Sequence, residues 1–540
     1  MSAAPAVADT GDSTNALGKI NHIVVIYEEN HSFDNLYGGW EGVNGRASAD
    51  PSHTLQIGQG GVPYACLLQN DVNLASPQLP ATCSDSTTAT PFSTAFTNQP
   101  FNIGASIPAS AQTCPQPGAF FSNGSLPSPN NLAGGCTRDI VHRFYQEQYQ
   151  LNNGAQNRYA TGSDAIGLTM GYYDTTGLPI YAYLHSPAHP HYAIADDFFQ
   201  GAFGGSFLNH QWLIAAATPT YPGGPVLQHS ILDSNGMPTS YRLYAATTTV
   251  ADKPLTQQCG LPTTDPNVAC GDYAVNTIQP TFQPTSSNPL KLPPQTGKTI
   301  GDELSGAGVS WAWYSGGWSN ADGDVGAPGW TNGTTQGVCG DPYSFANPAY
   351  PNCPNKVFQF HHQPFNYFAA YAPGTPGRTH LRDEQEFIDL ANASSQDCKL
   401  NSVSFIKPIG LENEHPGYTS ETRGSDHLVQ LLQAIQNSSC RQDTMVVVTY
   451  DEFGGQWDHV TPPGQGGTSG AHDQWGPGTR IPALVIAPRL QGNFVVDNTQ
   501  YDTTSILATI ERRYGLAPLG SRDGAVNDLS NVFLAVSPFD

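Results

Sequence analysis

Charged side chains are scarce in this chain of 540 residues, where Asp, Glu, Lys and Arg together make up 12%. Lys and Arg number 21 against 44 acidic residues, and they form no basic run. Clustered cations are what displace the counterions of a nucleic-acid backbone, so a nucleic-acid partner is not expected. No apolar stretch approaches the roughly 18 residues that a membrane-spanning helix needs. Several motifs of fixed spacing are also missing: C-x-x-C, H-E-x-x-H, and a G-x-G-x-x-G that follows a strand. Zinc ribbons, thioredoxin-like centres, zincins and dinucleotide-binding units drop out with them. Thr296-Gly297-Lys298-Thr299 imitates the end of a phosphate loop, but Leu292 stands where its first Gly is required.

Glycine (56), proline (44) and aromatic residues (10%) are plentiful instead. Such a composition suits long ordered loops rather than disorder. Ten cysteines lie mostly in Gly/Pro/Ser/Thr-rich stretches. An even count in that setting suggests disulfides formed outside the cytoplasm, in a secreted or periplasmic protein. Sequential pairing is the expectation (Cys66–Cys83, Cys114–Cys136, Cys259–Cys270, Cys339–Cys353, Cys398–Cys440), although other connectivities stay open. The start Met1-Ser2-Ala3-Ala4-Pro5-Ala6-Val7-Ala8 lacks a basic segment and a long apolar segment, and reads as the front of a mature secreted chain.

Two apolar runs end abruptly in hard donors. Ile23-Val24-Val25-Ile26 is β-branched and continuous, as in a strand buried on both faces, and leads into Glu29-Asn30. Thr444–Tyr450 has the same design and leads into Asp451-Glu452. In open α/β sheets the reactive groups collect at the carboxyl ends of strands. Desolvating an unpaired carboxylate is costly, so packing alone gives these acids little reason to be there. Together Glu29, Asn30, Asp451 and Glu452 suit one divalent cation of unspecified identity. The plainer alternatives are a helix cap by Asn30 or Ser32 and a simple turn at Asp451.

Strand and helix signals alternate along the chain. Helical character is expected over Asp139–Gln150, Leu381–Ala393, Asp426–Ser438 and Thr503–Tyr514, a helix and short strand within Tyr181–Phe199, and a late strand at Ile481–Pro488. The expected fold is therefore α/β, with a central, mostly parallel sheet flanked by helices. Residues 1–18 read as a flexible leader and 19–540 as one domain. Loop-rich insertions fall near 47–136, 218–294 and 316–355.

Ser206 sits in Phe203-Gly204-Gly205-Ser206-Phe207-Leu208-Asn209-His210, where glycines let the backbone present a hydroxyl. Leu208 breaks the G-x-S-x-G elbow, and a helix N-cap is the competing use of the serine. His142, His361, His362 and His415 lie in polar or Gly/Pro-flanked segments, which suits ligands to a phosphate, a leaving group or a metal.

EENHSFDNLYG, FGGSFLNHQWLI, FQFHHQPFNYF, ENEHPGY and YDEFGGQWDHVTPP together resemble the bacterial phosphoesterase family of acid phosphatases and non-specific phospholipases C. That resemblance implies an alkaline phosphatase-like fold. It also implies Glu29, Asn30, Ser206, Asp451 and Glu452 as metal ligands, with Ser206 as nucleophile. His361 or His415 would be the proton donor, and His142, His362, Asn209 and His210 would contact substrate. The serine of FGGS resembles the acid phosphatase branch, so small phosphate monoesters are the expected substrates, cleaved through a phosphoserine. Imidazole protonation would then tie activity to acidic pH. A phospholipase C-type phosphodiesterase is the alternative, a sulfatase is disfavoured for want of a Cys-x-Pro-x-Arg nucleophile, and a non-catalytic binding protein would leave the strand-end acids unexplained.

Overall fold

The computed structural model describes residues 15–69, 79–105, 107, 109–110, 139–260, 268–345 and 349–538. Eight strands form the central sheet: β1 (His22–Glu28), β2 (Tyr192–Ala195), β3 (Trp311–Ser315), β4 (Leu381–Asp383), β5 (Val403–Lys407), β6 (Thr444–Tyr450), β7 (Ala483–Ile486) and β8 (Phe494–Asp497). Their order is β4-β3-β5-β1-β6-β7-β2-β8. All pairings are parallel except those of β7, which runs against both β6 and β2. The α/β expectation holds. The late strand at 481–488 exists but is reversed, because the chain leaves β6 at the carboxyl edge, builds the 451–482 loop there, and returns down the sheet.

The apolar runs that flagged β1 and β6 are buried on both faces, and the two strands lie side by side at the centre. Tyr27 packs its ring edge-on to His210 at 5.0 Å, within helix Ser206–Ala215. Side chains alternate across a strand, so Tyr27 marks the face of that helix and Glu28 points to the other. Helix Glu421–Gln436 packs with helix Glu384–Ala393. Helix Thr504–Tyr514 packs with Ser206–Ala215.

Caps explain where helix boundaries depart from expectation. Helix Glu421–Gln436 begins earlier than Asp426 because the Ser420 hydroxyl accepts from the Arg423 amide at 3.2 Å. Leu381–Asp383 is strand, and the helix starts at Glu384 because the Asp383 carboxylate accepts from the Gln385 amide at 3.0 Å. Residues 139–143 precede the helix Phe144–Leu151 rather than belonging to it. Thr299 caps a helix through a capping box with Asp302, and Lys298 pairs with Glu303 at 2.6 Å, which disposes of the phosphate-loop imitation. Of the expected leader, residues 1–14 lie outside the described residues, while Leu17 is buried in the core.

A buried guanidinium ties the segments beyond β1 and β6 together. Arg480 Nε lies 3.0 Å from Asp458 Oδ1, its Nη2 lies 3.3 Å from Asp34 Oδ1, and its Nη1 donates to the Asn44 and Asp196 carbonyls at 2.8 Å each.

Four of the five sequential disulfides are present: Cys66–Cys83, Cys259–Cys270, Cys339–Cys353 and Cys398–Cys440. Cys114 and Cys136 lie outside the described residues. The last link spans 42 residues and the second 11. Restriction of the unfolded chain then gives roughly 4 and roughly 3 kcal/mol. Replacing Cys398 and Cys440 by Ser is expected to lower the unfolding midpoint more than the same change at Cys259 and Cys270, as read by thermal denaturation. Thiol titration of the native protein under denaturing, non-reducing conditions is expected to find essentially no free thiol.

Candidate active site

Register places the two acidic strand ends side by side. Glu28 is opposite Tyr450, and the Asp451 amide donates to the Glu28 carbonyl at 3.1 Å. Glu29, Asn30, Asp451 and Glu452 are all buried. The caps proposed as a duller use of this segment fall to Ser32, whose hydroxyl accepts from the Asn35 amide at 3.2 Å. Asn30 is thereby left facing the site, in a left-handed conformation at φ 75°. A Cβ on Gly454 would lie 2.1 Å from the Asn30 carbonyl oxygen, so the two motif loops pass at a distance that only glycine permits.

Ser206 is the first residue of its helix, and the N-cap is Gly205, which has no side chain to offer. The hydroxyl is therefore not spent on capping. It stands 3.5 Å from Glu29 Oε2, 3.4 Å from Asn30 Oδ1 and 3.4 Å from Glu452 Oε1. Glu147 holds the loop in front of it: the carboxylate accepts from the Gly204 amide at 2.5 Å, the Thr479 amide at 2.7 Å and Gln200 Nε2 at 2.9 Å. Gln200 Oε1 in turn accepts from the Phe453 amide at 2.9 Å, joining this loop to the one that follows β6. A Cβ on Gly205 would meet His142 at 2.9 Å, so the glycine admits that imidazole.

The histidines arrive from four segments. His142 Nε2 lies 3.5 Å from Glu452 Oε1. His362 Nε2 lies 2.5 Å from Glu29 Oε1, and its carbonyl accepts from Trp313 Nε1 of β3 at 2.8 Å. His415 presents Nε2 to Asn30 Nδ2 at 2.9 Å while Nδ1 faces the Pro416 carbonyl at 2.6 Å. That contact turns the Asn30 oxygen towards Ser206. His210 stacks on His362 with centroids 5.2 Å apart, and its Nδ1 lies 2.7 Å from the Ser206 carbonyl and 3.6 Å from Asp451 Oδ2. The His361 ring lies 6.1 Å from that of His210, and no described residue hydrogen-bonds it. Asn209 differs from the rest. Its carboxamide accepts from the Ala202 amide at 2.9 Å and donates to the Gly204 carbonyl at 3.1 Å, so it braces the loop rather than facing a substrate.

Burial pushes the carboxyls of Asp451 and Glu452 well above the usual carboxylate range, and the neighbouring acids add to it. Burial alone would do the same to Glu29, but His362 and Lys407 beside it outweigh that and hold it well below. Burial also lowers His142, His210, His361, His362 and His415 from the ordinary imidazole value. Among the described residues, both oxygens of Asp451 and the His210 Nε2 are buried without a hydrogen-bond partner. Oxygen donors left in that condition fit a cation. Glu29, His210 and His362 also bring one donor atom each within 4.8 Å of one another.

Lys407, at the end of β5, carried no signal in the sequence. Its Nζ lies 2.7 Å from Glu29 Oε1 and donates to the carbonyls of Tyr27 (2.9 Å) and Glu28 (3.2 Å), fully buried. A lysine closing an apolar strand is indistinguishable from a solvated strand end until β5 is known to lie beside β1. Glu147 escaped notice for a similar reason, since its partners are backbone amides distant in sequence.

A family model described as the Phosphoesterase family matches residues 20–517, and the chain belongs to that family. Its members are phosphoric ester hydrolases by class. The chain is 24% identical to phospholipase C A of Mycobacterium tuberculosis (strain ATCC 25618 / H37Rv), over 97% of this chain and 78% of that protein. It is also similar to non-hemolytic phospholipases C. Identity is 28% with that of Burkholderia pseudomallei, over 40% of this chain and 32% of that protein. With that of Pseudomonas aeruginosa it is 30%, over 27% of this chain and 26% of that protein.

Removing one partner of a buried ion pair strands the other, at a cost of about 3–5 kcal/mol. Lys407→Met is therefore expected to lower unfolding free energy by about 3 kcal/mol or more in urea titrations. Adding Glu29→Gln should recover part of that loss rather than add to it, because the stranded charge is then gone.

Proposed function

We propose that the chain is an extracytoplasmic, metal-dependent acid phosphatase that hydrolyses small phosphate monoesters through a phosphoserine on Ser206. The observation that carries this reading is the Ser206 hydroxyl, not used as a cap and within 3.5 Å of oxygens from Glu29, Asn30 and Glu452. A divalent cation held by Glu29, Asn30, Ser206, Asp451 and Glu452 would supply the Lewis acidity that lowers the serine pKa and offsets phosphoryl charge. Ser206 Oγ attacks phosphorus in line while its proton passes to a neighbouring carboxylate oxygen. The bond from phosphorus to the ester oxygen breaks, and the leaving alkoxide takes a proton from an imidazole. His361 suits that task better than His415, whose Nε2 already faces the Asn30 amide. Water then cleaves the phosphoserine and releases phosphate. His142, His362 and His210 line the same pocket and orient the phosphoryl oxygens. Four disulfides support a setting outside the cytoplasm, and no helix among the described residues is long and apolar enough to cross a membrane. We further take residues 19–540 as one catalytic domain, because the central eight-stranded sheet draws strands from both ends of the chain.

A phospholipase C-type phosphodiesterase is the second reading, favoured by the names of the relatives above. The same serine and acids would serve it, with a larger leaving group. Ser206→Ala is expected to abolish phosphate release from p-nitrophenyl phosphate while metal content by elemental analysis stays nearly unchanged. Retention of more than a few per cent of activity would mean that water attacks directly. Assayed side by side, wild-type protein should turn over p-nitrophenyl phosphate faster than p-nitrophenyl phosphorylcholine. The reverse order would establish the diesterase.

The proton donor also sets a pH dependence. Burial holds His361 well below the ordinary imidazole value of about 6.5, so the protonated form is lost as pH rises through a value under 6.5. The kcat/KM for a monoester is expected to fall with rising pH on that side of neutrality. A profile flat from acid through neutral would remove an imidazole from that role.

A further inference from the structure

Glu28 and Glu29 are neighbours in sequence but serve opposite faces of the sheet. Glu29 joins the Ser206 cluster. Glu28 is fully buried on the other side, and among the described residues neither of its carboxylate oxygens has a hydrogen-bond partner. A carboxylate left in that condition demands a counter-charge or a proton. On that face of the sheet lies a second cluster of donors. His427, on helix Glu421–Gln436, has Nε2 2.9 Å from Glu384 Oε1 and Nδ1 4.0 Å from Glu412 Oε2. One donor atom from each of Glu384, Glu412 and His427 falls within 4.8 Å of the others. Glu414 adds a further buried acid, one oxygen of which accepts from the Tyr450 hydroxyl. The cations nearby are Lys407, committed to Glu29, and Arg423, which acts on Glu412. Burial opposes charge on His427, yet Glu384, Glu412 and Glu28 outweigh it and lift the imidazole to about 9. The pocket is thus strongly electronegative.

We propose that Glu384, Glu412 and His427 form a second metal site, for a divalent transition cation such as Zn2+, on the face of the sheet opposite Ser206. Two carboxylates and one imidazole are a mixed oxygen and nitrogen donor set of the kind that zinc takes with its fourth position open, and the imidazole disfavours calcium. Glu384 and Glu28 are buried, whereas the Glu412 side chain is 35% exposed and gives the ion a way in. The ligands come from the start of helix Glu384–Ala393, helix Glu421–Gln436 and the loop between β5 and that helix. This loop also carries His415, so an ion there would clamp the segment that orients Asn30.

The test uses full-length protein stripped with EDTA and dialysed against Zn2+, followed by elemental analysis and thermal unfolding. Wild type should hold one equivalent more than Glu412→Gln or His427→Gln. Zn2+ should raise its unfolding midpoint by several degrees, a rise lost in both variants and kept in Asp451→Asn, which damages only the Ser206 site. Glu412→Gln should still hydrolyse p-nitrophenyl phosphate within about twofold of wild type. A wild type that holds no more zinc than Glu412→Gln would overturn the proposal, the acids then sharing protons instead. Should His427→Gln fail to fold, an anomalous difference map at the zinc edge from wild-type crystals decides: a peak among Glu384, Glu412 and His427 supports the site, and no peak there rejects it.

Discussion

Four carboxylates, Glu28, Glu29, Asp451 and Glu452, leave two neighbouring parallel strands at the same level. Such a concentration of buried negative charge is tolerable only with compensation, and the fold supplies one fixed ammonium there, that of Lys407 on the strand along the other side of β1. Lys407 settles Glu29 and caps two carbonyls at the strand end, but it cannot also neutralise Asp451 and Glu452. Those carboxyls remain poised for protons or a cation. The site's chemistry follows from this imbalance: an electronegative pocket with unpartnered oxygens, ringed by imidazoles that burial shifts below their ordinary value.

Everything nearby serves to hold that pocket in register. The reversed strand β7 returns the chain after the 451–482 loop. Arg480, just before β7, spans the segments beyond both acidic strand ends through Asp34 and Asp458. Glu147 and Gln200 fix the glycine loop ahead of Ser206, and Asn209 braces it from within the helix. Positioning is thus spread over backbone amides and buried polar groups, which keeps the candidate catalytic groups on rigid strand and helix ends.

How much of this could be read from residues alone depended on whether the signal was local. Continuous β-branched runs broken by acids are local, and both central strands were legible along with Glu29, Asn30, Asp451 and Glu452. Ser206 was legible through its glycines, yet its freedom from capping became visible only when Gly205 took the N-cap. Cysteine order anticipated four links because each closes a loop that is compact in space. By contrast, Lys407 and Glu147 act on partners hundreds of residues away or on backbone amides, and composition carries no trace of either. Strands β3 and β5 were not singled out, since each is short and lies among loop-rich sequence. Helix starts at Glu384 and Glu421 were displaced by caps whose polar side chains look the same as solvated ones. Asn209 stood beside the right residues in sequence and still turned its side chain towards the loop.

The near-contact between Asn30 and Gly454 has a consequence for anyone recombining this chain with its relatives. The two loops touch backbone to backbone, with Asn30 in a left-handed conformation and Gly454 at φ 62°. Neither can be redrawn alone, because a shift of a few tenths of an ångström in one is a collision in the other. The segments after β1 and after β6 therefore behave as a single inherited cassette split across more than four hundred residues. Chimaeras that cross over between them are expected to respect that pairing or to lose the site altogether.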